Sequence, residues 1–349
     1  MRMRLLVFVI ALATCGPLPG GESDVALVEE VFFTSRRHVE NIDSTTVWHG
    51  PDGERWLISS GKASHSLLVE DALNGGFIRR VGGLGQQLGQ FNRPNGVWVA
   101  NDYLFVVERD NRRVQVLSLP TFTAVGSLGE TELTNPYGIY VRSLGKSEYS
   151  VYVTDNYETS DEEIPTDLEL GNRIVHYSVE LEGLSDGTMD FDLVGRFGET
   201  RGEGALRIVE SIYGDPENER LLIAEEDNEH ATSGFKVYGF DERFKETILA
   251  RGSIKGQSEG IALVRRESGE GYWILTDQGM IENRFHVFDR RSLDYKGAFE
   301  GRYTLNTDGV WFDGTVSDRY PEGVFYAVHN DGNVGAFDWV EIKAALGIR

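Results

Sequence analysis

An acidic residue returns in one frame through the C-terminal half of the chain. Glu210 sits in Val209-Glu210-Ser211-Ile212, Glu259 in Ser258-Glu259-Gly260-Ile261, and Asp308 in Thr307-Asp308-Gly309-Val310. Each frame leads into a later apolar run: Arg220-Leu221-Leu222-Ile223-Ala224-Glu225-Glu226-Asp227, Gly271-Tyr272-Trp273-Ile274-Leu275-Thr276 and Gly323-Val324-Phe325-Tyr326-Ala327-Val328. A repeat that keeps a carboxylate at one register suits a ring of blades that aims its acids at a common centre. Carboxylates gathered at one point repel each other unless a cation neutralises them. Calcium accepts about six to eight oxygen ligands in irregular geometry, which makes bound Ca²⁺ the first expectation.

The elements that would position such acids are strands. Short β-type runs alternate with Gly, Asn and Asp turns, as in Arg55-Trp56-Leu57-Ile58-Ser59, Val97-Trp98-Val99, Tyr103-Leu104-Phe105-Val106-Val107 and Val151-Tyr152-Val153-Thr154. The 41 glycines against 9 prolines fit many tight β-turns. Only Asp338 to Leu346 reads as helical. In the first half, Gly82-Gly83-Leu84-Gly85-Gln86-Gln87-Leu88-Gly89-Gln90-Phe91-Asn92-Arg93-Pro94-Asn95-Gly96-Val97 leads to a strand and then to Glu108-Arg109-Asp110-Asn111-Arg112-Arg113-Val114-Gln115-Val116. Asn135-Pro136-Tyr137-Gly138-Ile139-Tyr140, followed by Tyr152-Val153-Thr154-Asp155-Asn156, repeats this more loosely. The pattern resembles an NHL-type propeller repeat. About 320 residues in blades of roughly 45 to 55 each predict an all-β, six-bladed β-propeller, with seven blades as the competing count. Two polar interruptions, Glu158 to Asn172 and Ser185 to Asp192, read as surface loops. The first, which holds Ser160-Asp161-Glu162-Glu163-Ile164-Pro165, is also a candidate border of the central site.

The net charge of −22 supplies no basic footprint for a phosphate backbone and excludes nucleic acid as a partner. It suits an exported protein that binds hard cations, and equally a surface that is merely kept soluble. Met1-Arg2-Met3-Arg4 is a short positive region, and Leu5 to Ala13 an apolar one too short to span a bilayer. With Leu12-Ala13-Thr14-Cys15-Gly16 it resembles a bacterial lipoprotein signal, in which Cys15 would carry the lipid. Cleavage as an ordinary signal peptide is the other reading. Residues 1–15 are thus expected as signal, 16–27 as tether, and 28–349 as one propeller domain. The expected place is the periplasm or the outer membrane, with membrane contact only through the lipid on Cys15, and the expected state a monomer. Cys15 is the single cysteine, so no intramolecular disulfide forms.

From Leu206 onward the chain resembles the β-propeller phytases, calcium-dependent phytate phosphatases on a six-bladed propeller. The resemblance runs through Val209-Glu210-Ser211, Ile223-Ala224-Glu225-Glu226-Asp227, Ser258-Glu259-Gly260-Ile261-Ala262-Leu263, Gln278-Gly279, Thr307-Asp308-Gly309-Val310, Pro321-Glu322-Gly323-Val324-Phe325 and Val334-Gly335-Ala336-Phe337-Asp338-Trp339-Val340-Glu341-Ile342. Earlier, Asn41-Ile42-Asp43-Ser44-Thr45-Thr46-Val47-Trp48 and Ser59-Ser60-Gly61-Lys62 stand where that family begins its first blade. The resemblance implies Asp43, Glu210, Glu226, Glu259 and Asp308 as calcium ligands, with Glu210, Glu259 and Asp308 catalytic. It implies Lys62, Arg112 and Tyr137 on the substrate, and metal-activated water attacking phosphorus in phytate or a smaller phosphate ester. Taken singly, an acid before glycine at a strand start often only orders a turn. Glu225-Glu226-Asp227 also reads as a solvated strand end, and Tyr137 as blade packing. Ala63-Ser64-His65 lacks a second basic residue after Lys62, Thr154-Asp155-Asn156 places an acid or amide where the family tends to place lysine, and Ser211 replaces a glycine. These departures thin the phosphate shell more than the metal shell.

Other chemistries lack their residues. One cysteine excludes a thiolate zinc cage, and the seven histidines form no His-x-His or His-Glu-x-x-His pair. No Gly-x-Ser-x-Gly elbow or Walker-type loop is present. Two alternatives to the phosphohydrolase stay open: a non-catalytic, lipid-tethered propeller that binds a protein or glycan, and a calcium-dependent lactonase-like hydrolase. Fold analogy does not separate them.

Overall fold

The computed structural model describes residues 25–159, 163–181, 189–227 and 233–349. The expected signal segment with Cys15, nearly all of the tether, and Ser160-Asp161-Glu162 of the acidic loop lie outside the described residues. So do Ser185 to Thr188, whereas Asp190 to Asp192, expected as loop, open the strand Asp190–Phe197.

Alternating apolar and polar residues, broken by tight turns, fold into six antiparallel sheets among the described residues. They form the blades of a propeller. From the axis outward, blade 1 is Ile42–His49, Arg55–Gly61, Ser66–Asp71 and Phe77–Gly82, and blade 2 is Pro94–Ala100, Tyr103–Glu108, Arg113–Ser118 and Thr123–Leu128. Blade 3 is Pro136–Ser143, Glu148–Asp155, Ile174–Glu180 and Asp190–Phe197, and blade 4 is Val209–Asp215, Arg220–Glu225, Gly234–Gly239 and Phe244–Leu249. Blade 5 is Gln257–Arg265, Gly271–Gln278, Arg284–Asp289 and Tyr295–Gly301, and blade 6 begins with Val310–Asp313, Val324–His329 and Asn333–Asp338. The expectation of six blades therefore holds, and the competing count of seven is set aside. The C-terminal helix Trp339–Leu346 also forms where expected, with the Asp338 carboxylate accepting from the Val340 N–H at 2.9 Å as its N-cap.

The ring is closed by the chain's beginning. Phe32–Phe33 pairs antiparallel with Asn333–Asp338 as the outermost strand of blade 6. Ala26–Val28 pairs parallel with Tyr295–Gly301 as a fifth strand on blade 5. This corrects the boundary between tether and domain: Ala26 and Leu27 belong to a sheet, because their backbone completes an otherwise open edge.

Each blade buries both faces against its neighbours, so the core is a set of wedges between blades. Between blades 5 and 6, Phe285 packs on Phe299 and Phe325 with ring centroids 5.0 Å apart in each pair. Each inner strand packs against those of the adjacent blades, and the sixth returns to the first. At the axis, Trp98 meets Tyr140, Tyr213 and Trp311 with centroids 5.1, 4.8 and 5.0 Å apart. These side chains come from blades 2, 3, 4 and 6, so they cross the ring and plug one end of the channel. The other end is open.

Candidate functional site

The open end is built by one local device, repeated. In blades 1 to 5 the pairing of the first two strands slips near the start of the inner strand, between Ile42 and Thr45, Pro94 and Val97, Pro136 and Ile139, Val209 and Ile212, and Ser258 and Ile261. The two residues left out of each ladder form a bulge, which re-aims a side chain. The first is Asp43, Asn95, Tyr137, Glu210 or Glu259; the second is small, Ser44, Gly96, Gly138, Ser211 or Gly260. Asp308-Gly309 holds the same place in blade 6, immediately before Val310. The sequence frame first seen in three acids is thus sixfold, and its other members were hidden by their differing chemistry.

Small residues are required there by close approach. A Cβ on Gly138 would lie 2.4 Å from the Glu210 carbonyl oxygen, and one on Gly309 would lie 2.4 Å from that of Asp43. The bulges are also tied together. The Gly309 N–H donates directly to the Asp43 carbonyl at 2.8 Å. The Thr154 hydroxyl accepts from the Gly138 N–H at 2.7 Å and donates to the Glu210 carbonyl at 2.8 Å. Ser60 does the same between the Ser44 N–H, at 3.1 Å, and the Asn95 carbonyl, at 2.5 Å.

Behind this ring stands a second set of buried acids that the sequence reading left out. Asp155 accepts from the Thr134 and Asn135 N–H groups at 3.0 and 2.6 Å, Glu225 from those of Arg207 and Ile208 at 2.8 and 3.0 Å, and Asp277 from those of Lys255 and Gly256 at 3.1 and 2.8 Å. Glu108 does this for Asn92 at 3.0 Å and pairs with Arg113 at 2.6 Å. In blade 6, His329 Nδ1 accepts from the Leu305 N–H at 3.0 Å. These groups hold the loop that feeds each inner strand. The signal for them is an acid at the last or next-to-last position of four successive second strands. Thr154-Asp155-Asn156 is therefore structural: Asn156 Oδ1 accepts from the Val209 N–H at 3.3 Å. Glu225-Glu226-Asp227 is no solvated strand end, since Glu225 and Asp227 are buried and Glu226 turns to the site.

The open end holds a cavity of about 410 Å³. Glu210, Glu226, Glu259, Asp308 and Asp331 line it together with Lys62, Arg93 and Tyr137, and amides from Asn41, Gln257, Gln278 and Asn306 complete the wall. Lys62 Nζ lies 2.7 Å from Asp43 Oδ1 and 3.4 Å from Asp308 Oδ2. Burial opposes the charge on this ammonium, but Asp43 and Asp308 outweigh it, and its pKa rises. Gln278 Nε2 donates to Asp308 Oδ1, and the Tyr137 hydroxyl reaches Asp43 Oδ1 at 3.5 Å. Glu226 Oε1 accepts from Gln257 Nε2 at 3.3 Å, and the Glu226 charge bears on both Glu210 and Glu259. Burial first, and then the charges of Glu226, Asp43 and Asp308, hold Glu210 well above the ordinary carboxylate range. Burial, Glu226 and Glu210 do the same to Glu259. Burial raises Glu226, and it pushes Asp308 up to about 7 against the pull of Lys62.

The structure thus brings together Asp43, Lys62, Tyr137, Glu210, Glu226, Glu259 and Asp308. It does not bring in Arg112, which is exposed in the turn after Glu108, its N–H bonded to the Arg109 carbonyl at 3.2 Å. Its neighbour Arg113 is the one buried, against Glu108. The cavity residues not expected from the sequence are Arg93, Asp331 and the amides Asn41, Gln257, Gln278 and Asn306, with Asn95 buried on the same frame beside them.

Among the described residues no three Asp, Glu, His or Cys side chains form a ready-made metal cage. The donor set nevertheless fits a hard cation. It is all oxygen, its carboxylates outnumber the nearby cations, and burial makes them hold protons that a metal would displace. Asn95, fully buried on the same frame, has neither amide atom partnered, leaving an oxygen donor unused.

Residues 205–340, which span blades 4 to 6, match the Phytase family model. No curated protein sequence matches the chain significantly. Among solved structures it is similar to regucalcin, a calcium-binding protein of Agrobacterium tumefaciens, with TM-score 0.52 and 11% identity over 90% of this chain and 95% of that one. A virginiamycin B lyase from Staphylococcus aureus gives TM-score 0.49 and 10% identity over 87% and 97%. At such identity the regucalcin match is one of fold alone. The chain is a six-bladed propeller, and the phytase resemblance read from its C-terminal half is borne out over residues 205–340.

Proposed function

We propose that the protein is a calcium-dependent phosphohydrolase acting on phosphate monoesters at the open end of the channel. One observation carries this reading: Glu210, Glu226, Glu259 and Asp308 line one cavity, all within the phytase-matching segment, and these acids outnumber its two cations, Lys62 and Arg93. Calcium held by Glu210, Glu226 and Glu259, with Asp308, Asp43 and Tyr137 beside them, would supply charge to offset a phosphate dianion and acidify a bound water.

The chain's own residues do the rest. Lys62 fixes the Asp43 and Asp308 carboxylates, and Gln278 fixes the other oxygen of Asp308. Tyr137 keeps its phenolic proton, because burial and then the Glu210 and Asp43 charges raise its pKa well above the ordinary value. The aromatic plug leaves the cavity one way in.

The test is phosphate release from phytate and from p-nitrophenyl phosphate by the purified domain, with Ca²⁺ and with EDTA. Release should need calcium and should vanish in Glu210→Ala and Asp308→Ala. Release that survives EDTA or both substitutions would overturn the reading. A calcium-raised melting temperature with no turnover would return the protein to the binding propellers. Export and a lipid on Cys15 are part of the same proposal. Ala26–Val28 runs parallel to the outermost strand of blade 5, so the chain enters it from the plugged side. An anchored propeller would then present its cavity to solvent.

A further inference from the structure

We propose that Arg93 receives the anionic group of the substrate and that the cavity takes a single phosphate monoester rather than a polyphosphate. This deepens the phosphohydrolase reading and rests on it for the word substrate, though not for the binding of an anion. Arg93 lines the cavity from the start of blade 2, across the ring from the Glu259 blade. Its backbone is held in the left-handed region at φ 54°, a conformation uncommon for a residue with a side chain, and its N–H donates to His65 Nδ1 at 3.0 Å. Strained backbone of this kind gathers at ligand sites, where the surroundings over-determine it.

The side chain has nothing to hold. Its Nε is buried without a partner, and no carboxylate of the described residues pairs with it. The neighbouring cations are already committed. Lys62 bridges Asp43 and Asp308, Arg207 faces Asp227 at 3.6 Å, and Lys236 is buried against Glu225 at 3.2 Å. Arg93 is therefore the cavity cation, among the described residues, whose charge no protein group answers. A guanidinium presents a planar fork that matches two phosphate oxygens. One fork answers one phosphate. A polyphosphate would bring further dianions among Glu210, Glu226, Glu259, Asp308 and Asp331 with no second free side-chain cation to meet them, so that every phosphate beyond the first would depend on metal charge alone.

The experiment titrates the full chain with inorganic phosphate by calorimetry in millimolar calcium, for wild type, Arg93→Ala and Arg93→Lys, with melting temperatures as the check on folding. Arg93→Ala should weaken phosphate binding at least about tenfold at a native melting temperature, and Arg93→Lys should recover part of it, keeping charge without the fork. In turnover, Arg93→Ala should raise the KM for p-nitrophenyl phosphate about tenfold, and wild type should prefer that monoester to phytate in kcat/KM. Native-like phosphate binding by Arg93→Ala, or none by wild type, would overturn the assignment. A preference for phytate would overturn the monoester class. Phosphate binding through Arg93 with no ester hydrolysed would uphold the receptor and sink the hydrolase. Turnover indifferent to Arg93 would do the reverse.

Discussion

Lys62 is the residue on which the electrostatics of the site turn. Its ammonium lies between Asp43 and Asp308, where an inorganic cation would otherwise be needed to hold two carboxylates together. Removing one partner of a buried ion pair costs about 3 to 5 kcal/mol, because the charge left behind is uncompensated. Lys62→Met should therefore lower stability by about 3 kcal/mol in EDTA, and calcium should restore much of it; urea unfolding in both conditions measures the difference. Protons are the other way to offset these charges. Asp308 and Glu70 are each pushed up to about 7, from ordinary values of 3.8 and 4.5, chiefly by burial. The folded state thus keeps protons that the unfolded chain has released. Their contribution to stability is complete below the unfolded values and is lost as pH rises through about 7. In EDTA the melting temperature should fall between about pH 5 and pH 8. Calcium should remove the share due to Asp308 and its neighbours, and Glu70→Gln the share that remains. A melting temperature that rose across this window would contradict the argument.

At the scale of the element, the site is a property of the bulge rather than of any one acid. Each bulge turns one side chain to the channel and needs a small residue after it, because the next blade's carbonyl approaches that spot. Gly138→Ala would place a methyl 2.4 Å from the Glu210 carbonyl oxygen. It should destabilise the protein by about 1 to 3 kcal/mol and weaken calcium binding by moving Glu210. Gly145→Ala, with nothing within 4 Å of the added carbon, should do neither. Thr154→Val removes the hydroxyl between the Gly138 N–H and the Glu210 carbonyl. Leaving those buried groups unpaired costs about 1 to 3 kcal/mol, readable as a lower denaturation midpoint. The residue pattern Asp43-Ser44, Asn95-Gly96, Tyr137-Gly138 was present in the sequence, but only the register slips show that it continues the frame of Glu210, Glu259 and Asp308.

At the scale of the molecule, stability depends on closure. Phe32–Phe33 supplies the last strand of blade 6 and Ala26–Val28 covers blade 5. A chain begun at Thr34 would bare the edges of Asn333–Asp338 and Tyr295–Gly301, and open edges invite pairing between molecules. Such a chain should lose its cooperative unfolding transition and elute as aggregates in gel filtration. A monomer with native unfolding would show that the closing strands are dispensable.

The sequence by itself determined the class of the fold and half of its site. Strand periodicity, glycine-marked turns and chain length required a ring of about six blades. The repeated acid frame identified Glu210, Glu259 and Asp308, because a fixed register on repeated elements converts directly into a common direction. What only the tertiary structure decided is which charges meet. Glu225 and Glu226 are adjacent and both acidic, yet Glu225, the last residue of its strand, caps a loop while Glu226, just past the strand end, faces the cavity. Arg112 and Arg93 are both arginines in turns of blade 2, but only Arg93 reaches the cavity. Lys62 is committed to Asp43 and Asp308, residues far apart in the chain that meet because blade 6 closes onto blade 1. Charge pairing of this kind depends on distance across the ring, and no local pattern in the chain encodes it.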